Sequence, residues 1–286
     1  MMQLNHGVLF SLLSSLALAV MGLLVSIGAN QMHPAEILFF RSAVTVVLLA
    51  AFVFNEFKSF TRVNLKWFGL RAVCGGGAVL IYFFNLRALG PSLAISIAST
   101  SVIFSAFIGL VFNKEKITDM QIVGIVLCNL SLYMFYSSMK LIAFPQLLLG
   151  LVGAILTALS YQFMKKAAET NLSPNAVYFA YALASLFSSA LLIDHTWSVP
   201  PLSFYPILVG VVAASWIGQI FLNLAYLQLG NVKASALGRF ILVWAFILEF
   251  IFTSRAISVP QILLYLGIVL GAFLISFDQK PLERSL

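Results

Sequence analysis

Charge is what this chain has least of. Only 9% of its 286 residues are Asp, Glu, Lys or Arg, and 62% are hydrophobic. A soluble domain carries about 25% charged residues, so a water-facing surface would run short of polar side chains here. The composition excludes a soluble globular protein and predicts an integral membrane protein. Cysteine is scarce as well. Cys74 and Cys128 both fall in apolar stretches and offer neither a disulfide framework nor metal spacing, so they read as small buried hydrophobes. Catalytic signatures are missing: no His-Glu-x-x-His, no Gly-x-Ser-x-Gly and no paired aspartates occur within the apolar segments. His6, His33 and His195 fall at or near loops. These gaps argue against an intramembrane enzyme. There is no P-loop and no loop long enough to house a soluble domain, which excludes ATP-driven pumping by this chain alone. No repeated filter-like loop or ring of like charges occurs, which argues against a channel. The opening MMQLNHG holds no Lys or Arg before a long apolar segment, so a cleaved signal peptide is not expected.

What is abundant is apolar sequence in blocks near 20 residues, the length that crosses about 30 Å of hydrocarbon as a helix. Ten such spans fall near 7–29, 35–54, 67–89, 92–112, 120–138, 146–164, 175–193, 205–229, 234–253 and 260–277. The net charge of +7 sits in short connections, where it sets topology, so a nucleic-acid partner is not expected. Even-numbered loops and both tails hold ten cations: Lys58, Arg62, Lys66, Lys114, Lys116, Lys165, Lys166, Lys233, Lys280 and Arg284. Odd-numbered loops hold three, Arg87, Lys140 and Arg255. That bias puts both termini in the cytoplasm of a multi-pass protein, expected in a bacterial inner membrane.

The chain is organised around Tyr82 to Thr118, an apolar helix end, a Gly90-Pro91 turn, a second apolar helix and a Lys114-Glu115-Lys116 stop. An echo follows 140 residues later. Pro34 meets Pro174, Gly90 meets Gly230, Ala94 meets Ala234, Ile117 meets Ile257 and Gln121 meets Gln261. Asn85 and Asn223 correspond after a two-residue slip. Five spans per half is an odd number, so the second copy must sit upside down. The expected fold is all-α, ten transmembrane helices as two inverted five-helix repeats, residues 1–140 and 141–286. Many secondary transporters follow this plan.

Several motifs then occur in order: Pro34-Ala35-Glu36 with Phe40-Arg41, Leu70-Arg71 with Gly75-Gly76-Gly77, Leu86 to Gly90, and Lys114-Glu115-Lys116-Ile117-Thr118 before Gly124. With this spacing the sequence resembles the drug/metabolite transporter superfamily, specifically its EamA-type members with ten spans. The resemblance implies transport of small metabolites by alternating access, with a central cavity between the repeats. The second half departs from the pattern, with Arg255 where the family usually repeats its glutamate.

Charges inside spans are the first candidates for function, because a charge at the bilayer centre costs about 2.5–3.5 kcal/mol on insertion scales. Arg239, five residues into the ninth span beside Gly238, offers a planar fork for a carboxylate or phosphate; snorkelling to headgroups is the alternative. Arg41 is a cavity or structural candidate. Arg71 lies about four residues from the cytoplasmic edge, so snorkelling is expected. Glu249 is a candidate protonatable coupling group, since leaving water penalises a charged carboxyl, with a polar helix contact as the plainer reading. Glu36 and Glu115 are candidates for gating. The neutral polar set suits a small polar solute: Ser96, Ser99 and Thr100 on one face of the fourth span, Tyr82 and Asn85 in the third, and Trp216, Gln219 and Asn223 in the eighth. Helix gluing by small and polar residues is the alternative, and it is the preferred reading for Gly75 to Gly77 and for Gly267 and Gly271. The expected activity is secondary transport of an amino acid, nucleoside-like or vitamin-like solute, not catalysis; an intramembrane enzyme or channel for small polar solutes is the alternative. Expected partners are that solute, the lipid bilayer and a proton as coupling ion, with no cofactor, no metal, and a monomer or weak homodimer.

Overall fold

A computed structural model describes residues 6–58, 60–89, 91–113, 118–138, 144–192, 199–253 and 259–277. Among them every regular element is helical. In chain order these are α1 (His6–Gly28), α2 (Pro34–Phe57), α3 (Arg62–Leu89), α4 (Pro91–Ser99), α5 (Ser101–Asn113) and α6 (Asp119–Ser138). Then come α7 (Phe144–Glu169), α8 (Pro174–Ala190), a 3₁₀ turn at Leu202–Phe204, α9 (Tyr205–Leu237), α10 (Phe240–Thr253) and α11 (Val259–Phe277). Six helical segments are long and apolar enough to cross a membrane: His6–Gly28, Pro34–Phe57, Arg62–Leu89, Pro145–Glu169, Leu202–Gly230 and Lys233–Phe252. The chain is a multi-pass helical membrane protein.

Local chemistry explains where helices begin. His33 caps α2: its Nδ1 accepts from Ala35 N–H, its own N–H donates to Glu36 Oε2 at 2.9 Å, and Pro34 occupies the first turn. This reciprocal cap satisfies donors that a helix start leaves open, and proline there lacks an N–H that would have been unpaired. Ser173 and Pro174 do the same for α8, with Ser173 Oγ accepting from Ala176 N–H at 3.1 Å. Glu56, at the far end of α2, accepts from Ser173 N–H at 2.7 Å and from Ser173 Oγ at 2.6 Å. A carboxylate at a helix N-terminus also suits the helix dipole, so α2 and α8 are pinned side by side.

Two expected spans are broken, and the breaks have a cause. The fourth stops at Thr100, between α4 and α5. Thr100 Oγ1 donates to Ile97 O at 2.8 Å, and the backbone there closes i to i−3 bonds. Hydroxyls in a row compete with the helix ladder in this way. The ninth span turns at Gly238-Arg239, between α9 and α10, again with i−3 bonds. Within α9 a second kink lies at Gly230, with φ 75° and ψ 177°. Only glycine adopts that backbone without strain.

Packing is inside-out relative to a soluble protein. Val47, Phe52, Phe107, Phe187, Val209 and Phe252 are exposed, whereas Arg41, Arg71, Arg239 and Glu249 are buried. Lipid, unlike water, accepts the first set. The principal helix pairs are α1 with α9, α3 with α7, α2 with α8, and α6 with α11. The α6–α11 seam is close: a Cβ built on Gly271 would stand 2.5 Å from Cys128 Sγ and 2.6 Å from Gly124 O.

Candidate functional site

A cavity of about 160 Å³ lies among the helices and is walled by α1, α3, α4, α5, α7, α8, α9 and α10. For scale, an apolar cavity of about 150 Å³ holds a benzene ring, so the space fits a small solute. Arg71 and Arg239 are the charged residues of its described lining. Tyr82, Tyr161, Tyr181 and Tyr226 supply aromatic surface. Asn85, Gln219, Thr157 and Ser14, Ser15, Ser99, Ser101, Ser160 and Ser235 supply polar groups.

Arg71 is the centre of the wall. It lies nine residues into α3, about 13 Å along the helix, and is only 2% exposed. Nη2 donates to Gln219 Oε1 of α9 at 2.9 Å, and Nη1 donates to Ser160 Oγ of α7. The guanidinium stands 4.9 Å from the ring centroid of Tyr181 of α8. Four helices therefore meet at one side chain. Gly75, one turn further along α3, makes room for it. A Cβ there would meet Tyr181 Cδ2 at 2.7 Å, Arg71 Nη1 at 2.9 Å and Ser160 Oγ at 2.9 Å.

The snorkelling expected of Arg71 is thus incorrect: neutral acceptors and an aromatic ring inside the bundle hold it more favourably than a reach past packed helices. Its one sequence signal is Gly75 at i+4, on the same helix face.

The other expected residues divide. Arg239, Tyr82, Asn85, Ser99 and Gln219 are brought together on the cavity wall. Arg239 Nη2 donates to Ser101 Oγ at 3.5 Å, which links the two helix breaks. Arg41 lies behind the wall, 1% exposed, with Nη1 donating to Ser215 Oγ at 3.2 Å and its guanidinium 5.5 Å from both the Phe83 and Tyr181 rings. Trp216, Gln219 and Asn223 do not act as one stripe. Only Gln219 reaches the cavity, beside Leu222 and Tyr226, because the lining face of α9 is turned about 70–90° from Trp216 and Asn223 at 3.6 residues per turn. Trp216 Nε1 donates to Asn175 Oδ1 at 3.3 Å, and Asn223 is buried off the wall. Thr100 sits at the break, bonded to Ile97 O.

The side chain of Ser96 and all of Glu115 lie outside the described residues. Glu36 belongs to the α2 cap. Glu249 is buried on α10, within electrostatic range of Tyr82 and Tyr265, and is not part of the cavity wall. Tyr161, Tyr181 and Tyr226 were not expected on the wall; aromatic residues are common in every span, and nothing in their spacing separates lining rings from packed ones. One trace exists for Tyr181, which stands 140 residues from Arg41, the repeat offset.

Residues 5–137 match the EamA-like transporter family. Two proteins of Helicobacter pylori named as uncharacterized transporters are 24% and 25% identical over 238 and 244 residues, 78% of this chain and 78% of theirs. The pseudopaline exporter CntI of Pseudomonas aeruginosa is 24% identical over 228 residues, 78% of this chain and 79% of its own. A protein crystal structure superposes with a TM-score of 0.65 at 15% identity, covering 94% of this chain and 95% of the other, which shows a shared fold. These names point to transport rather than catalysis. Residues 5–137 thus carry an EamA-like transporter domain, consistent with the drug/metabolite transporter superfamily, and the relatives named as transporters support transport of a small solute.

Proposed function

We propose that the chain is a secondary transporter that moves a small polar metabolite, of amino-acid, nucleoside-like or vitamin-like kind, across the bacterial inner membrane by alternating access. The observation that carries this reading is the buried cavity, to which helices from both halves contribute and in which Arg71, Gln219 and Arg239 converge. A bilayer offers no compensation for such groups, so a chamber of solute size among the helices, largely apolar with these polar groups set into its wall, is their reason for being there.

The mechanism takes the chain as ten spans in two inverted five-helix halves, 1–140 and 141–286. The packing of α1 on α9 has its counterpart in α7 on α3, while α2 with α8 and α6 with α11 are the pairs that such symmetry maps onto themselves. The caps His33-Pro34 and Ser173-Pro174 are 140 residues apart, and so are the stacked pair Arg41 and Tyr181. Short 3₁₀-type turns at Thr100 and Gly238-Arg239 fall in corresponding spans. Rocking one half against the other would open the chamber to each side in turn.

Lys58, Arg62 and Lys66 share one end of the bundle with Lys165 and Lys166, since Asn64 Nδ2 donates to Thr170 O at 3.4 Å across it. The positive-inside rule assigns that end to the cytoplasm, and both termini with it.

Purified protein screened by thermal shift against amino acids, nucleosides and vitamins, then reconstituted, is expected to give saturable uptake with counterflow. Linear, non-saturating flux would instead mean a channel. Arg239→Ala is expected to abolish counterflow while leaving expression intact, because Arg239 joins the two helix breaks at the chamber; wild-type flux in that variant would return Arg239 to a structural role. Glu249 is the proposed proton site. Glu249→Gln should transport with a flattened pH profile, and a fully retained pH dependence would remove Glu249 from coupling.

A further inference from the structure

Arg71 and Arg41 flank a single tyrosine. Their guanidinium carbons lie 4.9 and 5.5 Å from the ring centroid of Tyr181, and both side chains are almost wholly buried, 2% and 1% exposed. Neither has a carboxylate within ion-pairing distance among the described residues. The partners of Arg71 are the neutral Ser160, Gln219 and Tyr181. Those of Arg41 are Ser215, Met21, Phe83 and Tyr181. Among the described residues, Arg71 Nε and Arg41 Nε and Nη2 have no hydrogen-bond acceptor.

An arginine in a protein stays charged. Two buried cations without counter-charge are therefore an unfavourable arrangement, and the tyrosine face between them offsets only part of the cost. The described cavity wall carries Arg71 and Arg239 and no Asp or Glu, so the wall itself does not provide the missing negative charge. It must arrive with what the cavity holds.

We infer that the transported solute carries an oxyanion, which Arg71 binds within the cavity while Arg41, behind Tyr181, strengthens the positive field there. This rests on the reading of the cavity as the solute site. A guanidinium fork suits a carboxylate or a phosphate, each able to accept two parallel N–H bonds. Gln219 and Ser160 hold the fork in place, and Gly75 leaves the space it occupies. A cationic solute finds no carboxylate in the described wall.

The test uses the full-length purified chain and paired probes at matched ionic strength: succinate against succinamide, glutamate against glutamine, with inorganic phosphate and putrescine alongside. A ligand that binds the folded state raises its unfolding temperature. Succinate or glutamate is expected to raise Tm by roughly 2–4 °C, the amides and putrescine are not, and the shift should vanish in Arg71→Gln. A shift from phosphate alone supports the oxyanion and assigns it as a phosphoryl group. The inference is overturned if an amide or putrescine protects as well as its acid, if no anion protects, or if Arg71→Gln keeps the full anion shift. Should Arg71→Gln not fold, the acid and amide pairs on the wild type still decide. Counterflow in liposomes separates this result from the wider reading. Saturable counterflow of glutamine or putrescine leaves the carrier standing and removes the anion. Glutamate binding that depends on Arg71 without any flux keeps the anion site and removes the carrier.

Discussion

Arg71→Lys is expected to cut counterflow by about ten- to a hundredfold while the protein stays folded with its charge unchanged. The reason is shape. Arg71 donates to Ser160 on α7 and to Gln219 on α9 from two different nitrogens, and its plane lies against Tyr181 on α8. A lysine ammonium is a point charge at the end of a flexible stem and cannot occupy both donor positions at once. Each hydrogen bond involving a charged group contributes about 1.5–3 kcal/mol, and about 1.4 kcal/mol is a factor of ten, so one lost contact gives the lower bound. Counterflow of labelled carboxylates in liposomes, read beside thermal unfolding of the same preparation, measures both parts. Wild-type flux in the lysine variant would mean that Arg71 acts through its charge alone.

Gly271→Leu is expected to have the largest effect on the fold itself, with loss of monodisperse protein in detergent. Helices in a bilayer gain no hydrophobic drive from pairing, so close contact does much of the holding. At the α6–α11 seam the backbone of Gly271 is near enough to Gly124 that even a Cβ would stand 2.6 Å from its carbonyl oxygen. Gly267, one turn earlier, lies as close to the Ser131 side chain. A carbonyl in a helix cannot rotate aside. Overpacking by single methylenes costs about 1–3 kcal/mol, which is the expectation for Gly271→Ala. A leucine there must separate the helices. A leucine variant that remains monodisperse and unfolds at the wild-type temperature would show that α11 is held by something other than this seam.

The all-helical class and six membrane-length apolar segments were legible in the sequence because hydrocarbon imposes a simple rule, about 20 apolar residues per crossing. The helix starts at Pro34 and Pro174 were legible for a similar reason, since proline and a polar cap act locally. So was the placement of Gly267 and Gly271, small residues one turn apart in an apolar helix. Composition and the order of motifs sufficed for the class of function. They also brought Arg239, Tyr82, Asn85, Ser99 and Gln219 forward as candidates, all of which lie on the cavity wall.

What only the tertiary structure decided is which way each polar side chain faces and what it meets. A helix has no fixed rotation until its neighbours pack, so the stripe Trp216, Gln219 and Asn223 keeps its spacing while only Gln219 lines the cavity. Depth from a span edge likewise predicted that Arg71 would reach for headgroups. Yet Ser160 and Gln219, 89 and 148 residues away in sequence, turn it inward. Breaks at Thr100 and Gly238-Arg239 depend on hydrogen bonds that hydropathy does not register. The local physics of a bilayer determined that this chain crosses it as helices. Long-range packing decided that a buried, uncompensated arginine stands at the centre of the cavity.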